Sequence, residues 1–383
     1  MCSEYGRLGV DVTKKGIEVF KAFTDNLFPD AFCVITSDPN DAKRGLVLHT
    51  DSVGTKPVQA YVNWKETGDI DAFQGLAQDV IAMNIDDVVC VGASPISFID
   101  YIAVNPFNVS KKAVLTTLAK GFEATFRLLE RYGLDIQFGG GETADVPDLV
   151  RILDLSGTAL GNVAIDDVIS GQNIEEGDRI IGLRSGGKTK LEKTLNSGIM
   201  CNGITLARRC LMRKDYAARY PEIKEPRAGT YSGKYKADAY VDELEMTVGE
   251  AITSPTRLFT PLILDVLREH RPAVKTLVHN TGGGQTKCLG VGRGIHYLKD
   301  DPLPVDPIFH LVQQASKEEW RIMFQNYNMG IGFEIVVQAA AADDVLDVCD
   351  RYGIESKIIG SCHRTGGNNS VTLRTQWGTF HYS

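Results

Sequence analysis

The chain has 383 residues, more than one ordinary core accommodates, and so reads as two domains. It is 43% hydrophobic and 23% charged, a soluble globular balance, and its net charge of −8 with no basic stripe excludes a surface built for nucleic acid or anionic membrane. No apolar run reaches membrane-spanning length and Met1-Cys2-Ser3-Glu4-Tyr5-Gly6-Arg7 has no apolar signal core; eight scattered cysteines without C-x-x-C spacing predict reduced, mostly buried thiols in a cytoplasmic protein.

Strand and helix signals alternate through the first half. Gly45-Leu46-Val47-Leu48 feeds His49-Thr50-Asp51-Ser52-Val53-Gly54-Thr55-Lys56, so a strand over 46–50 ends in an acid, a tight glycine turn and a lysine. A carboxylate there can hold Mg²⁺, and a lysine or backbone N–H groups can hold phosphate oxygens; a polar hairpin is the alternative. Phe73, Leu76, Ala77, Val80, Ile81 and Val88 recur at helical spacing, with Gly92 and Pro95 as the stop. Asp79 and Asp86 share one stripe of that helix and Asp87 lies on the same polar side. No Lys or Arg occurs between Lys65 and Lys111, so these acids form either a solvated face or the ligands of a cation. A strand over 96–104 follows, then a helix capped by Ser110 that runs to Tyr132, with Gly133 at its end. After a short strand at 135–138, Gly139-Gly140-Gly141-Glu142-Thr143-Ala144-Asp145 predicts a glycine turn that brings backbone close to a ligand and aims Glu142 outward, or else a loose loop. A strand over 150–163 and a turn-rich segment at 170–178 set the domain boundary, giving units 1–170 and 171–383.

The second half opens with a strand at 179–183 and a helix at 204–212. Lys214–Asp242, rich in Tyr, Lys, Pro and Gly, reads as a surface excursion. Ser254-Pro255 predicts the cap and first residue of a helix over 256–270, and Ser316-Lys317-Glu318-Glu319 a capping box. His279-Asn280-Thr281-Gly282-Gly283-Gly284 repeats the glycine logic, with His279 either structural or anion-binding. A strand at 333–337, a helix at 341–352 and a strand at 354–360 complete an α/β (α+β) pattern. Gly182–Thr189 matches the P-loop pattern, but the apolar run before it is short and its acidic partner, Asp265, falls in the 256–270 helix, which argues against a P-loop NTPase.

Taken in order, these motifs resemble the aminoimidazole ribonucleotide synthetase (phosphoribosylformylglycinamidine cyclo-ligase) family. Thr50–Lys56 is similar to its T-D-G-V-G-T-K motif, with Ser52 for a glycine, and Asp79–Asp87 to its D-L-V-A-M-x-V-N-D helix, with Asp86 for asparagine. Gly9-Val10-Asp11, Gly92–Tyr101, Gly140–Ala144, Pro255-Thr256-Arg257, His279–Gly284 and Asn328–Gly332 also have counterparts. The resemblance implies a two-domain ATP-binding synthetase fold: an N-terminal domain that pairs sheets in a homodimer, and a C-terminal α/β domain, with ATP between them and Mg²⁺ as cofactor. It also implies ATP-dependent closure of formylglycinamidine ribonucleotide to aminoimidazole ribonucleotide, with release of ADP and phosphate. Under it Asp51, Asp87 and Glu142 would ligate metal, and Lys56, Asp79 and His279 would serve catalysis. Asp51, Gly54, Thr55, Lys56, Asp79, Gly140, Gly141, Glu142, Thr281, Gly282 and Gly283 would hold nucleotide or phosphate.

Three departures stand out. Phe28-Pro29-Asp30-Ala31-Phe32-Cys33 stands where the family has a glycine-rich loop, and the apolar flanks of Cys33 favour a core thiol. Ser197-Gly198-Ile199-Met200-Cys201-Asn202-Gly203 lacks the His and second Ser of S-G-x-H-S-N-G, and Lys188–Asn196 is an insertion. These changes leave open a sibling activity, such as a selenophosphate synthetase or a small-molecule kinase, or a nucleotide-binding paralogue without turnover.

Overall fold

The computed structural model describes every residue except 1–3, 10–15, 17–18, 21–22, 193 and 226–229. Cys2, Val10, Asp11, Lys193 and part of the expected surface excursion lie outside the described residues.

Two sheets organise the chain. The first holds β1 (Thr36–Asp38), β2 (Asp41–Ser52), β3 (Ser94–Val104), β4 (Gln137–Asp145) and β5 (Leu153–Ala164), in the order β1-β2-β5-β3-β4. The second holds β6 (Arg179–Arg184), β7 (Val274–His279), β8 (Ile295–Lys299), β9 (Ile331–Val337), β10 (Ser356–Arg364), β11 (Ser370–Thr375) and β12 (Gly378–Tyr382), in the order β7-β9-β6-β10-β8-β11-β12. Neighbours in both run antiparallel except β3 with β4 and β8 with β11. The main helices are α1 (Lys56–Thr67), α2 (Gly75–Val89), α3 (Lys111–Arg131), α4 (Ile204–Leu211), α5 (Thr260–His270), α6 (Pro307–Ser316) and α7 (Ala342–Tyr352). Along β5 burial alternates without a break, so one face packs inward and the other is half-exposed.

Helix α2 is the pivot. It lies against β2 and β5 on one side, α3 on another, and touches α5 of the other half. Because it is enclosed all round, Asp79, Asn84 and Asp86 are fully buried, and the expectation of a polar face on solvent gives way. Asp86 instead accepts the N–H groups of Phe259 (3.1 Å) and Thr260 (2.7 Å) and the Thr260 hydroxyl (2.6 Å). That is why α5 starts at Thr260 rather than at 256: its first free N–H groups find their acceptor on another helix. Ser254 does not cap it; its hydroxyl donates to the Glu250 carbonyl.

Other expectations shift for local reasons. The three glycines are not a turn but lie within β4, where pairing steps from Phe98–Phe138 to Asp100–Gly141. The extra residue makes a bulge at Gly139-Gly140, with Gly140 at φ +84°. Ser316 ends α6, and Lys317 at φ +57° reverses the chain, so no capping box forms there. The capping box is Thr247 with Glu250. Nor is the described part of Lys214–Asp242 a loose excursion: Tyr216, Tyr220 and Tyr231 are buried, and Tyr216 and Tyr220 donate to the Glu66 carboxylate on α1. In the P-loop look-alike the carbonyls of Gly186 and Gly187 point inward and accept from the buried Arg257 guanidinium, which also pairs with Glu192 of the insertion at 2.7 Å. Inward carbonyls cannot cradle an anion, and no helix follows within 188–203 among the described residues. The seven described cysteines are free and buried.

Candidate active site

Asp51 is the penultimate residue of β2, half-buried, with Oδ1 accepting its neighbour Ser52's N–H at 2.7 Å. Asp87 comes from the end of α2, 3% exposed, between two imidazoles: His279 Nδ1 lies 2.7 Å from its Oδ1 and His49 Nε2 lies 3.2 Å from its Oδ2. Burial would raise the Asp87 carboxyl, but Lys287, His49 and the hydrogen bond from His279 together hold it well below the carboxylate range. Burial and then the Asp87 charge push Asp51 up. Burial lowers His49, yet Asp87 outweighs it and the imidazole is raised. Here the structure brings together two of the three expected metal ligands, with His279.

The turns expected to hold phosphate converge on the same place. Gly54 (φ +57°) and Thr55 are exposed, and Thr55 shares a 2.8 Å hydroxyl contact with Thr205 of α4. Thr281 is buried and accepts from Lys287 Nζ at 2.8 Å, whereas Gly282 is exposed with Asn202 Oδ1 beside it, and Gly283 takes φ +98°. Gly54 in turn lies beside the Cys201 carbonyl. Two buried polar atoms here, His279 Nε2 and Asn202 Nδ2, lack a hydrogen-bond partner among the described residues.

Lys56 and Asp79 are placed differently. Their 2.7 Å ion pair is fully buried; Lys56 Nζ also donates to the Ser254 carbonyl, and Asp79 Oδ1 accepts the N–H and hydroxyl of Thr256, each at 2.7 Å. Cys201, where the resemblance expects serine, also donates to Asp79 Oδ1. These groups clasp the 254–256 stretch rather than face an open phosphate site.

Glu142, Gly140 and Gly141 do not join the cluster within one chain. Glu142 pairs with Tyr101 and so shares the face of Tyr101, Ser156 and Ser52, opposite to that of Asp51. Three strand spacings put it about 14 Å from β2. His49 and Lys287 were missed. The adjacency of His49 to Thr50-Asp51 was a signal for the first; Lys287 is brought in only by the short helix after Gly283.

The acid pair, the flanking imidazoles and the two glycine turns lie where the two halves meet, in the pattern of a two-domain synthetase of the AIR synthase-related class. Residues 29–163 match the family described as AIR synthase related protein, N-terminal domain. The chain is 33% identical to the phosphoribosylformylglycinamidine cyclo-ligase of Methanocaldococcus jannaschii over 82% of its own length and 77% of the relative's. It is 34% identical to that of Pyrococcus furiosus over 80% and 76%. In fold it is similar to AaThiL, in a structure complexed with AMPPCP and TMP, with a TM-score of 0.55 at 11% identity, covering 96% of each chain. The chain belongs to the phosphoribosylformylglycinamidine cyclo-ligase family of enzymes. Among the described residues no helix is long and apolar enough to cross a membrane.

Proposed function

We propose that the protein uses ATP and Mg²⁺ to close formylglycinamidine ribonucleotide to aminoimidazole ribonucleotide, releasing ADP and phosphate, as a cytoplasmic homodimer. The observation that carries this reading is the meeting of Asp51, Asp87 and His279 with the Gly54-Thr55 and Thr281–Gly283 turns. Relatives bearing the name of that reaction support it.

Asp51 fits Mg²⁺, which takes oxygen ligands: it keeps a carboxylate oxygen without a protein partner among the described residues, beside a second acid that repels it. Asp51 with Asp87 would hold the ion, which supplies neutralisation of triphosphate charge. The backbone N–H groups of Thr55, Gly282 and Gly283, on turns whose Thr55 and Gly282 are exposed, and the Lys287 ammonium suit phosphate oxygens. The reaction needs no enzyme nucleophile: ATP phosphorylates the amide oxygen, the substrate's own amine attacks that carbon, and phosphate leaves. His279 is held by Asp87 with Nε2 as an acceptor, placed to hold a proton released on ring closure. Lys56 and Asp79 act as positioning residues through Thr256.

The homodimer has its own support. Leu48, Ile99 and Tyr101 are 66%, 46% and 41% exposed on one face of the first sheet, the face Glu142 shares. A second copy seated there would cover them and offer Glu142, Gly140 and Gly141 to its partner. Selenophosphate-type chemistry is less well supported, since burial pushes the Cys33 thiol far up and Sγ is engaged by the Asp87 carbonyl.

Incubation with ATP, Mg²⁺ and formylglycinamidine ribonucleotide tests the reading. ADP and aminoimidazole ribonucleotide should appear together. ADP alone would move the assignment to a sibling activity, and neither product would favour a nucleotide-binding paralogue.

A further inference from the structure

We propose that Cys33, His49 and Asp87 form a site for one thiophilic divalent cation of the zinc and cobalt type. One donor atom from each, a thiol sulfur, an imidazole nitrogen and a carboxylate oxygen, lies within 4.8 Å of the other two. A tetrahedral ion with bonds of about 2.0–2.3 Å holds its ligands roughly 3.5 Å apart, so small side-chain shifts close the set. The donors come from three places, the loop before β1, strand β2 and helix α2, and Cys33 and Asp87 are both buried.

Hydrogen bonding orients them. Asn84 Nδ2 donates to the carbonyls of Val80 (2.8 Å) and Asp51 (3.3 Å), which leaves its Oδ1 to accept from His49 Nδ1–H at 3.2 Å. The Nε2 lone pair of neutral His49 then faces Asp87 Oδ2 across 3.2 Å. Two acceptors in that position require a cation between them, a proton or a metal ion. An imidazole fixed through its far N–H, with a carboxylate held by a second imidazole (His279 Nδ1 on Asp87 Oδ1), is the outer arrangement that metal ligands use.

The donor set selects the ion. Mg²⁺ demands oxygen ligands in octahedral array, whereas thiol, imidazole and carboxylate together suit zinc or cobalt. On binding, the Cys33 S–H bond breaks and the metal–sulfur bond forms; its proton, now donated to the Asp87 carbonyl at 3.2 Å, leaves to solvent. Where His49 is an imidazolium, its Nε2 proton leaves as well. Thiolate and carboxylate then balance the two positive charges. Three protein donors leave a fourth position for water or a ligand oxygen. The bound ion competes with Mg²⁺ for Asp87, and its site stands whether or not the proposed ring closure does.

Metal-free protein is titrated with Co²⁺ in excess Mg²⁺ at one fixed pH above neutrality. The expected result is one equivalent bound, thiolate-to-cobalt charge-transfer absorption in the near ultraviolet, and displacement by Zn²⁺. Cys33→Ser should lose that absorption, and His49→Gln should weaken Co²⁺ binding at least about 10-fold. Zinc-edge X-ray absorption of the unaltered protein needs no variant: one sulfur among nitrogen and oxygen ligands is expected. No charge-transfer band, a band retained in Cys33→Ser, or a shell without sulfur would each overturn the site.

Discussion

Lys56 and Asp79 face each other at 2.7 Å with neither side chain exposed, and each also holds the Ser254–Thr256 stretch that belongs to the other half of the chain. Seven residues on, Asp86 receives Phe259 and Thr260 in the same manner. One stripe of α2 thus ties the two halves together through Thr256 and Thr260, and the nearby Asp87 is left for the site.

Breaking this buried pair leaves a charge without compensation, at a cost of about 3–5 kcal/mol. Lys56→Met should lower the unfolding free energy by that amount in urea denaturation, and Lys56→Met with Asp79→Leu should recover part of it. A loss below about 1 kcal/mol in the single variant would show that the ammonium is not a structural tie.

The Asp51 side chain accepts one described hydrogen bond, from the N–H of its own neighbour Ser52, so little of the fold depends on its carboxylate. Asp51→Asn should reduce ADP release with substrate and Mg²⁺ by about 10²–10³-fold while the melting temperature stays unchanged. Activity near that of the unaltered protein would remove Asp51 from the metal and phosphate site.

Burial pushes the Asp86 carboxyl up to about 6, against the opposing pull of His279 and the hydrogen bonds from Phe259 and Thr260. Because the folded value lies above the unfolded one, the native state keeps a proton that the unfolded chain has already lost. The resulting stabilisation is complete below about pH 4 and vanishes as pH rises through about 6. Relative to Asp86→Asn, the protein should lose on the order of 3 kcal/mol between pH 4 and 7 in denaturant midpoints. Parallel stability curves for the two would sink this assignment.

Apolar side chains on the open face of the first sheet predict a second copy over it. Leu48→Glu with Ile99→Asp should convert a sedimenting dimer to a folded monomer. A monomeric unaltered protein, or a double variant that still sediments as a dimer, would count against that face as the contact.

The local pattern made some of this legible. An apolar run into Thr50-Asp51 marked the end of β2, and a seven-residue interval put Asp79 and Asp86 on one stripe, because strand alternation and helical pitch are properties of neighbouring residues. Their purpose was not legible. Asp79 and Asp86 read as solvated or metal-bound, yet both accept backbone N–H groups more than 170 residues away in sequence. The start of α5 was misplaced for the same reason, since its cap is on α2. The glycines of β4 looked like a turn because a bulge inside a strand needs the same freedom as a turn does.

By itself, then, the order of residues determined the α/β elements, the family motifs and the types of group available for chemistry. Tertiary structure decided which groups meet: Asp87 with His49 and His279, Lys56 with Asp79, and Glu142 on the far face of the sheet. Short-range periodicity is encoded in adjacent residues, whereas the partner of a buried charge is chosen by packing between distant segments, where leaving it unpaired costs more than any local preference can repay.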